Sequence, residues 1–407
     1  MNLRQADTVN VFLILVLAPL FLQNITLLGL GSAGLKVFHL SVAALGAYWL
    51  YGLKLNTQLV PALWLLSLWL VITFIVGLRY GLSPFVLNYI FIFALALVIS
   101  TQSEMISFHS FQKSLLWIVF PAFLYVFFNI LFNLDTVIAA QAFNIRFGGR
   151  PIIPNMLFSG GWNIEASYLA MLSVLFIRTR WFFLFASIAF IVSIAYLSRT
   201  GLVLTVVLGM YWVFFKLYER VSTFTLFFLL PLLLLTLAIV LLTVGYYLDV
   251  SVVKRLFLIG NEPGSQGRLD ILLYVVPGLL DSQFMGYGPG NTMEKLIAMG
   301  LETQNNNLHN YYLQVLMDFG FLGFVGYLLF IVYFILSPHI VLEFKLFLSL
   351  YMVGSFVQFR GAEPLVWGIL LWAFLVKVPC QKSTQNTAEL PPEKHKMTPQ
   401  LNSGSVQ

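Results

Sequence analysis

The feature that most limits what this chain can form is a series of long apolar stretches separated by short polar connections. A helix needs about 20 mostly apolar residues to cross a bilayer, and twelve stretches reach or approach that length. They lie at 9–28, 35–53, 59–77, 84–100, 114–134, 161–177, 181–198, 201–215, 223–247, 310–336, 340–359 and 364–379. Because none alternates as a spanning strand does, the pattern predicts an all-α polytopic membrane protein with about 12 transmembrane helices.

The composition excludes most water-soluble classes. Charged residues make up 9% of the 407 residues and hydrophobic residues 60%, whereas about 25% of a soluble domain is charged. A cytosolic enzyme, a disulfide scaffold and a disordered chain are therefore excluded. The single cysteine, Cys380, cannot form an internal disulfide. Basic residues do not cluster on a soluble module, so we expect no nucleic-acid partner.

The apolar stretches and their connections also predict the organisation of the chain. Residues 1–379 are predicted to form one transmembrane domain, and the polar residues 380–407 are predicted to form a disordered cytoplasmic tail. The first stretch is expected to be retained, because no clean cleavage site follows it. The two longest connections are 135–160 and 248–309. The second contains the apolar run LDILLYVVPGLL, which predicts a structured loop between spans 9 and 10.

Arginine is concentrated on one predicted side of the membrane. An even number of spans puts both ends on one side, and placing that side in the cytoplasm leaves twelve basic residues inside and ten outside. The inner twelve are eight Lys and four Arg, whereas the outer ten are seven Arg and three Lys. Orientation needs positive charge of either kind, but the planar guanidinium grips phosphate in two places. The outer arginines therefore indicate phosphate binding.

Five outer residues are the first candidates for an anionic pocket. His309 precedes the tenth span and could accept a proton near neutral pH, or simply bond a headgroup at the interface. Arg199 lies where the seventh span turns into the eighth, and Arg268, Arg146 and Arg150 lie in the long connections. Each arginine alone could be a snorkelling charge. Together with His309 they predict a site for a pyrophosphate.

The acidic residues of the same side do not suggest a metal site. A buried pyrophosphate needs several cationic partners or a metal ion. No Asp-x-Asp motif is present, and the outer acids are spread along the chain, among them Glu165, Glu262, Asp270, Asp281, Glu294, Glu302 and Glu363. We therefore expect chemistry without a metal or cofactor, in which arginines stabilise the leaving group.

Glycines and one acid mark the tenth span and the loop before it. Gly320 and Gly323 predict a close approach of another helix. Asp318 lies about 13 Å along the helix from His309, where a carboxylate is either functional or paired. The glycine-rich run Gly286–Asn291 lacks the spacing of a dinucleotide site and predicts a turn at the membrane surface.

Several of these motifs resemble those of one family. Arg268-Leu269-Asp270-Ile271-Leu272 fits an Arg-x3-Leu pattern, and His309-Asn310 is followed after nine residues by Gly320-x-x-Gly323. Ser198 to Gly201 and the run around Gly286–Gly290 are also similar to recurring features of that family. The chain thereby resembles the O-antigen ligase and polymerase superfamily of bacterial membrane proteins, over about 180–335 at the level of the domain.

The resemblance implies a GT-C-like glycosyltransferase in the bacterial inner membrane, with its active site facing the periplasm. Its donor is a glycan linked to undecaprenyl pyrophosphate, and its acceptor is a lipid-linked repeat unit or lipid A-core. A chain-length regulator is a candidate partner besides the lipid bilayer. The motif positions imply that His309 activates the acceptor hydroxyl and that Arg268 and Arg199 bind the pyrophosphate. Asn310 is expected to help bind substrate, as are Arg146 and Arg150 on the charge count alone.

Two features favour a polymerase over a ligase. Glu165 lies in the run WNIEAS, which is similar to the Glu-x-Ser of many polysaccharide polymerases and makes Glu165 a further substrate-binding candidate. The loop 248–309 is nearly neutral, whereas a ligase that receives phosphorylated lipid A-core is expected to be more basic there. A ligase remains the alternative. A transporter of the lipid-linked sugar and a structural membrane subunit are more distant ones, although transporters gather polar groups near the midplane.

Overall fold

The structure is a computed structural model that describes residues 3–22, 26–28, 35–52, 56–102, 105–139, 156–158, 161–218, 263–302, 308–356 and 363–377. Its main helices are α1 (Leu3–Phe21), α2 (Val37–Gly52), α3 (Val60–Tyr80), α4 (Val86–Ser100), α5 (Phe108–Phe132), α6 (Trp162–Val174), α7 (Phe182–Ala195), α8 (Arg199–Tyr218), α9 (Pro263–Asp281), α10 (Thr292–Ala298), α11 (Tyr311–Leu336), α12 (Leu342–Ser355) and α13 (Pro364–Ala373). The short strands are β1 (Thr26–Leu28), β2 (Leu35–Lys36), β3 (Ile106–Ser107) and β4 (Val376–Lys377).

The helices have the length and composition of membrane spans. Thr57–Tyr80, Phe108–Phe132, Arg199–Lys216 and Tyr311–Leu336 are long and apolar enough to cross a bilayer, and several shorter helices are also apolar. The prediction of a multi-pass α-helical membrane protein is confirmed. Eleven of the twelve predicted stretches coincide with a helix. The remaining stretch, 223–247, lies outside the described residues, as does the tail 380–407. The number of spans and the GT-C-like arrangement remain predictions.

Two predicted spans contain short strands near their ends, where the hydropathy indicated helix. In the first, 9–28, the helix ends at Phe21, and residues 26–28 instead form β1, which pairs antiparallel with β2. In the last, 364–379, the helix ends at Ala373, and β4 pairs parallel with β3. Hydropathy averages over a window, whereas backbone groups beyond a helix end need partners of their own. The amide of Ile106, for example, donates to the carbonyl of Leu375 over 2.8 Å.

Helix ends that the sequence assigns to the cytoplasmic side contact one another. The Gln112 side chain at the start of α5 donates to the Leu175 carbonyl after α6, over 2.6 Å. The Arg178 guanidinium lies 3.3 Å from the carboxylate of Glu343 at the start of α12. We call this side the basal face.

Helix ends that the sequence assigns to the outer side also come together. The Arg79 side chain at the end of α3 lies 3.5 Å from that of Gln283, in the segment after α9. Tyr168, in the middle of α6, donates to Glu363, which lies directly before α13. We call this side the cap face, and residues 263–302 the cap segment. The two sets of contacts fit helices that alternate in direction across the bundle.

Aromatic packing and hydrogen bonding join α3 to α11 inside the bundle. The rings of Trp69 and Phe319 stack with centroids 4.6 Å apart, and the Trp69 indole donates to the Gly323 carbonyl over 3.1 Å. A Cβ at Gly323 would lie 3.4 Å from Ile72 of α3, which confirms the predicted close approach of a helix there. Because lipid supplies no hydrophobic drive between helices, such packing and bonding hold them together.

A break in α11 receives the cap segment. Gly320 has φ 64° and ψ −170°, a conformation that is essentially restricted to glycine. Across the break, the amides of Tyr287 and Gly288 donate to the carbonyls of Met317 and Asp318 over 2.8 and 2.9 Å. The prediction of a helix approaching Gly320 is therefore wrong, because the backbone of the cap segment approaches it instead. The run 286–291 does form turns, with positive φ at its three glycines.

We predict that Gly320→Ala strongly destabilises the protein. Its Cβ would lie 2.5 Å from the carbonyl carbon of Met285, and the backbone conformation alone costs about 1–3 kcal/mol for a residue other than glycine. Thermal unfolding of the purified protein in detergent measures the loss. Gly209→Ala is the control, because a Cβ there meets nothing within 4 Å. Equal melting temperatures for the two variants would contradict the role assigned to the break.

Candidate active site at the cap face

The turn between α7 and α8 presents Arg199 at the cap face. The Ser198 hydroxyl accepts a hydrogen bond of 3.1 Å from the Gly201 amide and so satisfies an amide of the first turn of α8. Gly201 lies so close to α6 that an added Cβ would be 2.7 Å from the Ala166 Cβ. The Ser-Arg-Thr-Gly run therefore places half-buried Arg199 beside the start of α6.

Glu165, in the first turn of α6, is fully buried. Its carboxylate accepts hydrogen bonds from the Leu157 amide over 2.8 Å and from the Tyr196 hydroxyl over 2.9 Å. Leu157 precedes α6 in the chain, and Tyr196 follows α7. The carboxylate therefore links the segment before α6 to the turn that carries Arg199. Its predicted contact with substrate remains a prediction.

Glu363 is a second buried carboxylate on this face, and the sequence analysis did not single it out. It accepts a hydrogen bond from Tyr168, which lies three residues after Glu165 on α6. Burial lowers the pKa of the Lys36 ammonium, and the nearby Glu363 carboxylate opposes this shift. The signal in the sequence was an acid directly before Pro364 at the start of an apolar helix.

His309 lies directly before α11 in a left-handed conformation, with φ 53°. Its side chain is buried, with 5% of its surface exposed. Asn310 caps the helix, because its side-chain oxygen accepts a hydrogen bond of 3.1 Å from the Leu313 amide. This contact accounts for Asn310 structurally, while its role in substrate binding stays a prediction. The ring of Tyr311 packs against that of Tyr351 at 5.6 Å.

The buried acids connect the two candidate groups. Glu363 accepts a hydrogen bond from Tyr168 of α6, and α12, whose Tyr351 packs against Tyr311, contacts α6. Tyr168 follows Glu165 by about one turn of α6. The segment that carries His309 and the turn that carries Arg199 therefore flank one cluster of buried carboxylates and tyrosines.

The remaining predicted arginines are described less fully. Arg268 lies in α9 of the cap segment, and its side chain lies outside the described part of the structure. Arg146 and Arg150 also lie outside the described residues. The assignment of these three arginines to the site therefore rests on the sequence.

The carboxylate of Asp318 is paired, as one interpretation of the sequence expected, and this pairing is compatible with a functional role. Its Oδ1 accepts hydrogen bonds from the Thr292 hydroxyl over 2.5 Å and from the Gln314 amide over 2.8 Å.

In the cap segment, the Tyr287 hydroxyl lies 2.8 Å from the Asp281 carboxylate. Burial, together with this carboxylate, raises the pKa of Tyr287 far above its ordinary value, so Tyr287 stays a protonated donor.

These features define a class, a multi-pass helical membrane protein in which buried carboxylates, tyrosines and a histidine lie towards the cap face. Residues 182–328 match the family model described as O-antigen ligase. The match confirms, over this part of the chain, the resemblance to the O-antigen ligase and polymerase superfamily. It contains Arg199, Arg268 and His309 but neither Glu165 nor Glu363. A search of curated proteins finds no significant match.

We predict that Glu165→Ala destabilises the protein more than removal of an exposed acid. Two buried donors lose their acceptor, and each unsatisfied donor costs about 1–3 kcal/mol. Chemical unfolding in detergent measures the change, with Glu302→Ala as the control because Glu302 is exposed. If Glu165→Ala unfolds at the same denaturant concentration as the control, the carboxylate does not hold the turn that carries Arg199.

Proposed function

We propose that the protein is a membrane glycosyltransferase that polymerises surface-polysaccharide repeat units. Its donor is a glycan linked to undecaprenyl pyrophosphate, and its acceptor is the next lipid-linked unit. The observation that carries the proposal is the match of 182–328 to the O-antigen ligase family, which spans Arg199, Arg268 and His309. The buried polar cluster between the segments of Arg199 and His309 supports it.

The reaction needs a base and a stabilised leaving group. His309 accepts the proton of an acceptor sugar hydroxyl while the oxygen of that hydroxyl bonds to the anomeric carbon of the donor. The bond from that carbon to the pyrophosphate breaks, and the electron pair leaves with the lipid diphosphate. Arg199 and Arg268 stabilise the negative charge that develops there. The donor is already activated, so the step consumes no nucleotide.

The ligase is the second candidate, because O-antigen ligase is the description of the matching family. It would use the same base and the same leaving group but transfer the glycan to lipid A-core. The near-neutral loop 248–309 and Glu165 favour the polymerase. The glycan products of a strain in which the gene is deleted separate the two.

We predict that Arg199→Ala, Arg268→Ala and His309→Ala each abolish polymer in a deletion strain that carries the variant. Loss of a group that stabilises the transition state lowers the rate about 100- to 1,000-fold. Gels of lipopolysaccharide and of other surface glycans, with immunoblots for protein level, give the readout. Arg180→Ala on the basal face is the control, because Arg180 is exposed and lies over Trp181.

The patterns on these gels distinguish the candidates. Core with a single repeat indicates a lost polymerase, and bare core with accumulated lipid-linked polymer indicates a lost ligase. Normal polymer from all three variants at normal protein levels would contradict the mechanism.

The proposed site faces the periplasm from the bacterial inner membrane, so the cap face must be outside. In a Cys380→Ser background, we predict that Glu302→Cys reacts with a membrane-impermeant maleimide in intact spheroplasts. We predict that His339→Cys, after α11, reacts only once the membrane is permeabilised. Both residues are exposed, so burial does not explain a difference. The opposite labelling pattern would place the cap segment in the cytoplasm and refute the proposed orientation.

A further inference from the structure

We infer that Gln314 and Asp318 are positioning residues that hold His309 in its working orientation through the backbone of Leu308. The catalytic meaning of this inference rests on the proposed function. The physical arrangement does not, because it consists of contacts among described residues of α10, of α11 and of the segment directly before α11. The match to the family names neither residue.

The contacts form a continuous series from the cap segment to the residue before His309. The Thr292 hydroxyl donates to Asp318 Oδ1 over 2.5 Å, and the Gln314 side-chain amide donates to the same oxygen over 2.8 Å. At its other end, Gln314 Oε1 accepts from the Leu308 amide over 3.3 Å. Thr292, Gln314 and Asp318 are all buried, at 0%, 6% and 2% exposure, so water competes little for these groups.

The carboxylate of Asp318 fixes which way the Gln314 amide points. Oδ1 of Asp318 already accepts from the Thr292 hydroxyl, and an oxygen that carries no proton only accepts hydrogen bonds, so it selects the orientation in which the NH₂ group of Gln314 faces it. The Gln314 oxygen must then face the opposite way, towards the Leu308 amide. With the amide reversed, the NH₂ group would meet the Leu308 N–H, and two donors would oppose each other. Asp318 thus acts on Leu308 through the orientation of Gln314.

The backbone of His309 needs such support. A φ of 53° is uncommon outside glycine, and it persists only where the surroundings fix it. Gln314 holds the amide of the preceding residue, and the Asn310 side chain fixes the following turn through the Leu313 amide. The imidazole therefore starts from a backbone that is held on both sides. Such fixation matters because a misplaced base loses most of its rate advantage.

An exchange of the two side-chain chemistries tests the series. Gln314→Glu alone puts two carboxylates together, and Asp318→Asn alone no longer selects the orientation of the amide. In the double variant Gln314→Glu/Asp318→Asn, the new carboxylate accepts from the Leu308 amide and from the new side-chain amide. The oxygen of that new amide still accepts from Thr292. The bond between residues 314 and 318 is thereby restored with its donor and acceptor exchanged, while the bonds from Leu308 and Thr292 keep their direction.

The first readout is the reaction of diethyl pyrocarbonate with His309 in the purified full-length chain, followed by peptide mass spectrometry. We expect Gln314→Glu to raise the rate at His309 about tenfold, since lost hydrogen bonds populate open conformations by about that factor. The double variant should return the rate to within about threefold of wild type, a margin below the effect of one hydrogen bond. Gln112→Leu is the matched control, because it removes a glutamine-to-carbonyl bond at the basal face.

The second readout is transfer from undecaprenyl-pyrophosphate-linked glycan by the same proteins. Gln314→Glu should lower kcat about 100-fold, the size expected for displacement of a reacting group by about 1 Å. KM for the donor should stay nearly constant, and the double variant should recover kcat. General destabilisation would also affect Gln112→Leu and would not be reversed by the second substitution. A fall in kcat at constant KM that the double variant reverses therefore indicates positioning.

The outcomes separate the inference from the proposed function. If wild type transfers no glycan while the His309 rates change and recover as expected, the function is refuted and the positioning stands. If the His309 rate is the same in all variants, or the double variant is no better than Gln314→Glu, the positioning is refuted whatever the transfer rates.

Discussion

The contact on which the rest of this structure depends is the meeting of two backbones at Gly320. Non-helical backbone near membrane depth is tolerated only where protein satisfies its polar groups. Here the Phe321 amide donates to the Phe284 carbonyl over 2.9 Å, while the amides of Tyr287 and Gly288 donate to carbonyls on the other side of the break. A side chain at Gly320 or at Gly286 would collide with the facing backbone. The cap segment is therefore bonded to α11 rather than resting on it.

Because of this docking, α11 supports both His309 and the cap segment. Its first residues follow His309, and its break receives the segment that begins with α9, the helix of Arg268. Gly278 of α9 also lies against Met317, whose Cε would be 2.7 Å from an added Cβ. The same few residues of α11 thus help to fix the positions of both His309 and the α9 backbone. The long spacing between the histidine and the glycines in the family pattern then has a structural reason.

The sequence predicted the helices better than their ends, and the motifs better than their contacts. Apolar runs located the described spans because burial in lipid depends on composition. They misplaced the ends near Phe21 and Ala373, where β1 and β4 bond to distant segments that no local pattern reveals. Gly320 was expected to receive a helix because small residues usually do so, and only its backbone angles show otherwise. Glu363 was one acid among several until its contact with Tyr168, 195 residues away, became visible.

The limits of the family match divide the cap face into two parts. Residues 182–328 contain the histidine and two arginines to which the proposed chemistry is assigned. Glu165, Tyr168 and Glu363 lie outside that segment and bring buried oxygen atoms to the same face. Carboxylates and hydroxyls accept hydrogen bonds from sugar hydroxyl groups, whereas a diphosphate repels a carboxylate. Under the proposed function, the diphosphate would lie towards the arginines and the sugars towards Tyr168 and Glu363. The flanking helices α6 and α13 are then where recognition of a particular glycan is best sought.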